Sequence, residues 1–183
     1  MELGRSFVST EHQKDALPLM LLLRGLMFSL MRYPQVQYLL GPASISNSIP
    51  RFYQSLMEYY VMSRHCDPQM KSAALPTTPF EPDFLRVNPE SLLRKKMDNI
   101  EKFDKFLMKI SDGKFRLPTL VKRYIKINAD VICFNVDPDF NYTLDGLILL
   151  KLSDYPEQEL MMLMRDIEDE GLRENITRRI LDR

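Results

Sequence analysis

Several charged residues of the 183-residue chain have the side-chain type and spacing of residues that transfer protons or bind ligands. Glu2 and Arg5 lie three residues apart in a strand-like segment, where they form either a reactive pair or an ordinary edge-strand ion pair. A carboxylate at a partly desolvated site has a raised pKa and can accept a proton from an ammonium group. Asp145 lies inside an apolar strand, and a charge that faces a core requires a partner. Arg116 or Lys122 is the predicted partner.

Two groups of short polar side chains follow predicted strands. Each group could hold the amine or carboxylate of a small molecule, or could simply form a turn. The first group consists of Ser44, Ser46 and Asn47. The second group connects two predicted strands and consists of Asp137, Asp139 and Asn141.

The first third of the chain is predicted to alternate strands and helices. Residues 2–8 form a strand, and residues 13–32 form a helix that is apolar on nearly every face, as expected beneath two covering layers. Residues 36–40 form a second strand that Gly41-Pro42 ends. A helix opened by Ser48 and Pro50 then runs to about residue 66.

The remainder of the chain begins with a loop over residues 67–89 that contains five prolines. A charged helix with an apolar stripe follows, capped by Asn88-Pro89 and ended by Gly113. Further elements are a helix at 118–128, an antiparallel hairpin of strands 129–136 and 144–152, and a helical tail at 154–183 that Gly171 interrupts. We predict one domain over residues 1–183.

Three blocks of sequence resemble a known family. They are MELGRSFV at residues 1–8, YLLGPASISN at residues 38–47, and the block from Arg116 to Leu150. The last block fits a pattern of Leu-Pro, Lys-x-Tyr-Ile, Asp-Pro-x-Phe-Asn and Asp-Gly. The chain is similar to the bacterial family labelled hemolysins and to ornithine (or glycine) acyl-carrier-protein N-acyltransferases, within the GNAT acyltransferase superfamily.

The resemblance implies an α/β (α+β) fold with a GNAT-like mixed central sheet flanked by helices. Family members carry further strands before the segment that matches residues 2–8, so the chain is expected to be the C-terminal part of such a domain, with its N-terminal strands missing. The implied reaction moves a 3-hydroxy fatty acyl group from acyl carrier protein to the amine of glycine or ornithine in aminolipid synthesis.

The resemblance also assigns roles to residues. Glu2 is the candidate general base, with Arg5 beside it. The acyl donor, a phosphopantetheine thioester on acyl carrier protein, would contact the backbone of Phe7 and Val8 and the side chains of Gln13, Lys14 and Arg24. The segment 9–14 has no glycine, unlike the pyrophosphate loop of acetyl-CoA users. The acceptor would contact Ser44, Ser46, Asn47, Arg116, Lys122, Asp137, Asp139, Asn141 and Asp145. No bound cofactor and no metal are implied.

Composition restricts the alternatives. Twenty-five basic and twenty-five acidic residues balance, which gives no support for nucleic-acid binding. Cys66 and Cys133 lack the spacing of a metal site or disulfide scaffold, and neither His12 nor His65 belongs to a triad-like arrangement. No secretory signal is evident, so a cytoplasmic location is expected. The apolar stretch 16–31, interrupted by Arg24, is too short to span a bilayer, which leaves a buried or membrane-adjacent helix at the inner membrane surface.

A second hypothesis is a non-catalytic fragment or interaction module. Open sheet edges invite pairing with another chain, so a homodimer or a missing N-terminal segment would complete the sheet. Direct membrane lysis is disfavoured, because the sequence has no long basic amphipathic helix.

Overall fold

A computed structural model describes residues 1–4, 8–12, 15, 17–71, 73–94 and 99–181. The fold is mixed α+β, as predicted. Contacts divide the chain into two compact units. The terminal unit consists of Met1–Gly41 and Leu150–Arg183, and the central unit consists of Pro42–Leu149.

Seven α-helices and three β-strands lie within the described residues. The helices are α1 (Leu17–Arg32), α2 (Arg51–Arg64), α3 (Pro89–Leu93), α4 (Ile100–Ile110), α5 (Thr119–Lys126), α6 (Glu157–Met164) and α7 (Glu170–Leu181). The strands are β1 (Tyr38–Ile45), β2 (Asp130–Asp137) and β3 (Thr143–Lys151). They form an antiparallel sheet in the order β1-β3-β2, and β2 and β3 form the predicted hairpin.

The predicted first strand is present as a short parallel pairing with β1. Glu2 bridges Leu40, and the Leu3 N–H donates to the Leu40 carbonyl at 2.6 Å. The Leu40 N–H donates in turn to the Met1 carbonyl at 2.9 Å. Parallel neighbours require a crossover connection, and α1 lies in that connection.

The prediction that Gly41-Pro42 ends the second strand is wrong, because β1 continues to Ile45. A Cβ atom on Gly41 would lie 2.2 Å from the Leu3 carbonyl oxygen, so glycine permits the close approach of the parallel segment. Leu40 bonds that segment on the outer side of β1. Pro42, two residues further on, therefore also directs its nitrogen outward, where proline is tolerated.

Helix α1 was predicted to be covered on both sides, and this is wrong. Leu23, Met27 and Leu30 are buried, and α1 contacts α6 and α7. The opposite surface of the helix is exposed and apolar, with exposed fractions of 44–58%. This exposed α1 face consists of Leu17, Leu21, Leu22 and Phe28.

Helix α2 forms as predicted and packs on β2 and α3. Its buried residues include Leu56, Met57, Tyr60 and Val61, and the Tyr60 ring stacks on Phe103 with 4.0 Å between centroids. Ser63, near the end of the helix, is exposed.

The charged helix predicted from Pro89 to Gly113 is instead two helices. α3 ends at Leu93, and α4 begins after Asn99, whose side chain accepts the Lys102 N–H at 2.8 Å. An asparagine that caps a helix start competes with continuation of a preceding helix. The C-terminal end is as predicted, because Gly113 has φ of +80° and donates to the Met108 carbonyl at 2.8 Å.

The proline-containing loop is attached to the central unit along its second half. Arg51 Nε and Nη2 donate to the Glu81 carbonyl at 2.9 and 2.6 Å. The Asp83 N–H donates to Ser55 Oγ at 2.8 Å. Closer to β2, the Val136 N–H donates to the Thr78 carbonyl at 2.8 Å.

The tail forms two helices. Asp169 Oδ1 accepts the Leu172 N–H at 2.9 Å at the start of α7. Gly171 was predicted to interrupt the tail, but it lies inside α7, and the break falls between Met164 and Glu170.

Candidate functional site

Asp145 is the most perturbed of the predicted site carboxylates. It alternates with the buried residues Leu144 and Gly146 on β3, so it lies on the half-buried face of the sheet and not in the core as predicted. Burial raises the pKa of its carboxyl, a hydrogen bond from the Ser44 hydroxyl lowers that pKa, and the Asp137 carboxylate raises it. Asp145 Oδ1 is buried and has no hydrogen-bond partner among the described residues. A carboxyl with these properties can take up a proton.

The glycine beside Asp145 has a packing role. A Cβ on Gly146 would lie 3.0 Å from Phe134 Cε1 and 3.3 Å from Val131 Cγ1. Phe134 is the cross-strand partner of Gly146, so the missing side chain makes room for its ring. The Asp-Gly pair thus places a half-buried carboxyl beside a tightly packed position.

Neither cation predicted to pair with Asp145 does so. Lys122 Nζ lies 3.0 Å from Asp104 Oδ2, and both side chains are largely buried. Asp104 Oδ1 also accepts the Leu117 N–H at 2.8 Å. Arg116 is exposed, and it is not among the groups that shift the pKa of Asp145. The carboxyl therefore has a hydroxyl neighbour in place of a cation.

The polar residues between β2 and β3 form a turn. Asp137 Oδ1 accepts the N–H groups of Asp139 and Phe140 at 2.9 and 3.1 Å. Asn141 and Tyr142 both have a left-handed backbone, with φ of +54° and +52°. Asp139 and Asn141 are exposed. Turn formation explains Asp137 and Asn141, and the charge of Asp137 still acts on the pKa of Asp145.

The first group of polar residues, Ser44, Ser46 and Asn47, divides into two parts with different contacts. Ser44 lies within β1 and reaches Asp145. Ser46 and Asn47 lie in the turn after β1, where Ser46 Oγ accepts the Ser48 N–H at 3.2 Å and contacts Ser48 Oγ at 2.8 Å. Of this group, the structure brings only Ser44 to the Asp145 carboxyl.

Most of the predicted catalytic and donor-binding residues precede α1. Arg5, Phe7, Gln13 and Lys14 lie outside the described residues. Val8 is half-buried and precedes a short 3-10 turn at Thr10–His12. The Glu2 side chain is exposed, so it lacks the partial desolvation that the sequence reading required.

Arg24, predicted to contact the acyl donor, instead connects two helices of the terminal unit. Its Nε donates to the Leu163 carbonyl at 2.7 Å, and its Nη2 donates to Asp166 Oδ2 at 2.7 Å. The hydrogen bond from Arg24 lowers the pKa of the Asp166 carboxyl. Only 14% of the Arg24 side chain is exposed, so this arginine stabilises the packing of α1 and α6.

Sequence reasoning overlooked Glu58. Burial raises its pKa from 4.5 to about 7, and the nearby Lys71 acts in the opposite direction. Glu58 is the sole acidic residue of α2, and this isolation was the available signal. His65 packs beside an aromatic ring of α2. Its ring lies 5.6 Å from that of Tyr60, and burial lowers its pKa.

The two cysteines are free thiols whose pKa values are raised by burial. Among the residues that the structure describes, no group of three His, Cys, Asp or Glu side chains is arranged to hold a metal ion.

No protein-family model matches the chain, and searches of curated proteins and of solved structures return no match. The family resemblance therefore remains a prediction from the sequence blocks. Within the described residues, no helix has both the length and the apolarity that a membrane crossing requires.

Proposed function

We propose that the chain carries an acyl-carrier-protein-dependent N-acyltransferase activity that acylates the amine of glycine or ornithine. The supporting observation is the parallel pairing of Met1–Leu3 with β1 around the crossover helix α1. In such a unit the carboxyl end of the first strand and the start of the helix meet at one sheet edge, where α/β proteins bind ligands. The chemistry proposed at this edge is the acyl transfer that the three matching sequence blocks imply.

Direct transfer of an acyl group from a thioester needs a base for the ammonium group and donors for the oxyanion. In the proposal Glu2 is the base, and docking of the carrier protein over the exposed edge desolvates it. The backbone of Val8 and the residues around it supplies the donors. Arg24 has no place in this site, because its guanidinium is bound to Leu163 and Asp166.

The proposal keeps Ser44 and Asp145 of the central unit as acceptor contacts, as the matching sequence blocks imply. The Ser44 hydroxyl and the half-buried Asp145 carboxyl form a polar pair that can hydrogen-bond a small polar ligand. Arg116, exposed at the start of the same sequence block, is the proposed contact for the acceptor carboxylate. The proposed location is the cytoplasm, at the surface of the inner membrane during catalysis.

The proposal is tested by thiol release from acyl carrier protein carrying a 3-hydroxyacyl group, with and without glycine or ornithine. We expect release that depends on the amino acid, and loss of at least about 100-fold of it in Glu2→Gln, the size of a general-base contribution. Asp145→Asn should raise KM for the amino acid with a smaller change in kcat. Thr119→Ala, at an exposed site, is the matched control. Absence of amino-acid-dependent release from the folded protein would contradict the proposal.

A second candidate function is a non-catalytic interaction module. The exposed α1 face favours it, because exposed contiguous apolar surface marks interaction sites. Sedimentation of the protein alone distinguishes the two. A dimer that Leu21→Glu dissociates would support the module, and an inactive compact monomer would count against both functions.

A further inference from the structure

A cleft of about 810 Å³ lies between α6 and α7 of the terminal unit. Part of its lining is apolar and comes from α6, where Met164 is buried and Met161 is 48% exposed. Methionine is flexible and polarizable, so it adapts to apolar groups of irregular shape. The volume is within the range of small-molecule sites.

The polar part of the lining is rich in guanidinium groups. Arg165 follows α6, and Arg173 and Arg178 come from α7. The carboxylates that line the cleft are those of Glu170 and Glu174, so three positive charges face two negative ones.

These arginines keep donors for a ligand. Arg173 Nη2 lies 3.4 Å from Glu170 Oε1, and Arg165 Nε lies 3.6 Å from Asp166 Oδ1, which are weak exposed contacts. Arg178 Nη2 donates to the neutral Asn175 Oδ1 at 2.9 Å. Each guanidinium carries five N–H donors in a planar fork that matches carboxylate and phosphate oxygens.

We propose that this cleft binds a single-chain amphiphile with an anionic head group, the chain against the methionines and the phosphate or carboxylate against the arginines. A purely apolar ligand would leave the guanidiniums facing it unsatisfied, and a small polar anion would leave Met161 exposed to water. An anionic amphiphile satisfies both surfaces. None of these residues belongs to the acyltransferase site proposed above, so the two proposals are independent.

The proposal is tested by isothermal titration calorimetry of the full chain with alkyl phosphates, each below its micelle-forming concentration. We expect octyl phosphate to bind more tightly than butyl phosphate, by about fourfold for each added methylene that is buried. Nonanoate should bind as well, which separates head-group charge from phosphate chemistry. Octyl glucoside, with a neutral head, should bind at least about tenfold more weakly than octyl phosphate.

Variants then locate the site. The double variant Arg173→Gln/Arg178→Gln should weaken octyl phosphate binding by about tenfold, and Glu174→Gln should strengthen it, because both changes alter the charge facing the head group. Met161→Ser should reduce the dependence on chain length. Arg32→Gln, an exposed change at the end of α1, is the control. Circular dichroism verifies folding of each variant. Equal binding of octyl phosphate and octyl glucoside, or unchanged binding in the double variant, would overturn the proposal.

Discussion

Replacement of Gly41 by alanine tests the parallel pairing on which the proposed function rests. The new Cβ would lie 2.2 Å from the Leu3 carbonyl oxygen, about 1 Å closer than ordinary van der Waals contact. The obstacle is a backbone atom and cannot rotate away. The segment Met1–Leu3 must therefore move off β1.

The magnitude follows from the bonds that this segment makes. Displacement by about 1 Å breaks the hydrogen bonds from Leu3 to Leu40 and from Leu40 to Met1, which are 2.6 and 2.9 Å long. Two backbone hydrogen bonds contribute about 1–3 kcal/mol net. Replacing glycine lowers the conformational entropy of the unfolded chain, which offsets about 0.5–1 kcal/mol of this loss of stability. We expect a net decrease in the free energy of unfolding of up to about 2.5 kcal/mol.

Urea denaturation measures this decrease, and Gly25→Ala provides the matched control. Gly25 lies in the exposed middle of α1, and nothing lies within 4 Å of its added Cβ. That variant should gain about 0.5–1 kcal/mol, because alanine is the better helix former. Amide exchange adds a local readout, since the Leu3 and Leu40 amides should lose protection in Gly41→Ala alone.

Equal stability of the two alanine variants would refute the argument. So would Leu3 and Leu40 amides that remain protected in Gly41→Ala. If the pairing is lost while the core stays folded, amino-acid-dependent thioester release should fall with it.

Three further predictions concern side chains. Asp104→Ala should lower the free energy of unfolding by about 2–3 kcal/mol in urea denaturation, because the buried Leu117 N–H loses its acceptor, and Lys122→Met should also lower it, because the largely buried Asp104 carboxylate loses its cation. Because the pKa of Glu58 is about 7 when folded and near 4.5 when unfolded, the folded state binds its proton more tightly. Stability should therefore fall as pH rises from 4.5 to about 7, and Glu58→Gln should remove this dependence, whereas identical pH profiles would contradict it. Cys66 and Cys133 should react with a disulfide reagent at pH 7 about tenfold more slowly than a small thiol, and urea should abolish the difference.

The elements that the sequence predicted correctly have local signals. Asn88, Pro118 and Gly113 mark helix ends by backbone chemistry that depends on few neighbours, and the hairpin follows from two apolar strands around a turn. The prediction of one continuous helix after Asn88 failed because Asn99 supplies a competing cap within an unbroken apolar stripe. Periodicity identifies which face is buried, but it does not show where a helix restarts.

The site was less predictable because its features depend on long-range contacts. Gly41 reads as a breaker in sequence, and only the proximity of Leu3 reveals that it admits a neighbouring backbone. Lys122 matches the family pattern and Arg24 was expected to contact the acyl donor, yet Lys122 pairs with Asp104 and Arg24 pairs with Asp166. The partner of Asp145 proved to be a serine on another strand, about 100 residues away in the sequence.

The outer edge of β2 is hydrogen-bonded to other segments near both of its ends, which limits the pairing of this edge with another chain. Near its start the Val131 N–H donates to the His65 carbonyl at 2.6 Å, and near its end the Val136 N–H donates to Thr78. Pro79, the next residue, bridges Asn135 and has no N–H to extend a ladder. Exposed strand edges can pair with identical chains and form fibrils, and a proline at such an edge opposes this pairing. The proline-containing loop thus opposes self-association by covering part of the edge of β2. Shortening the loop should increase aggregation of the protein.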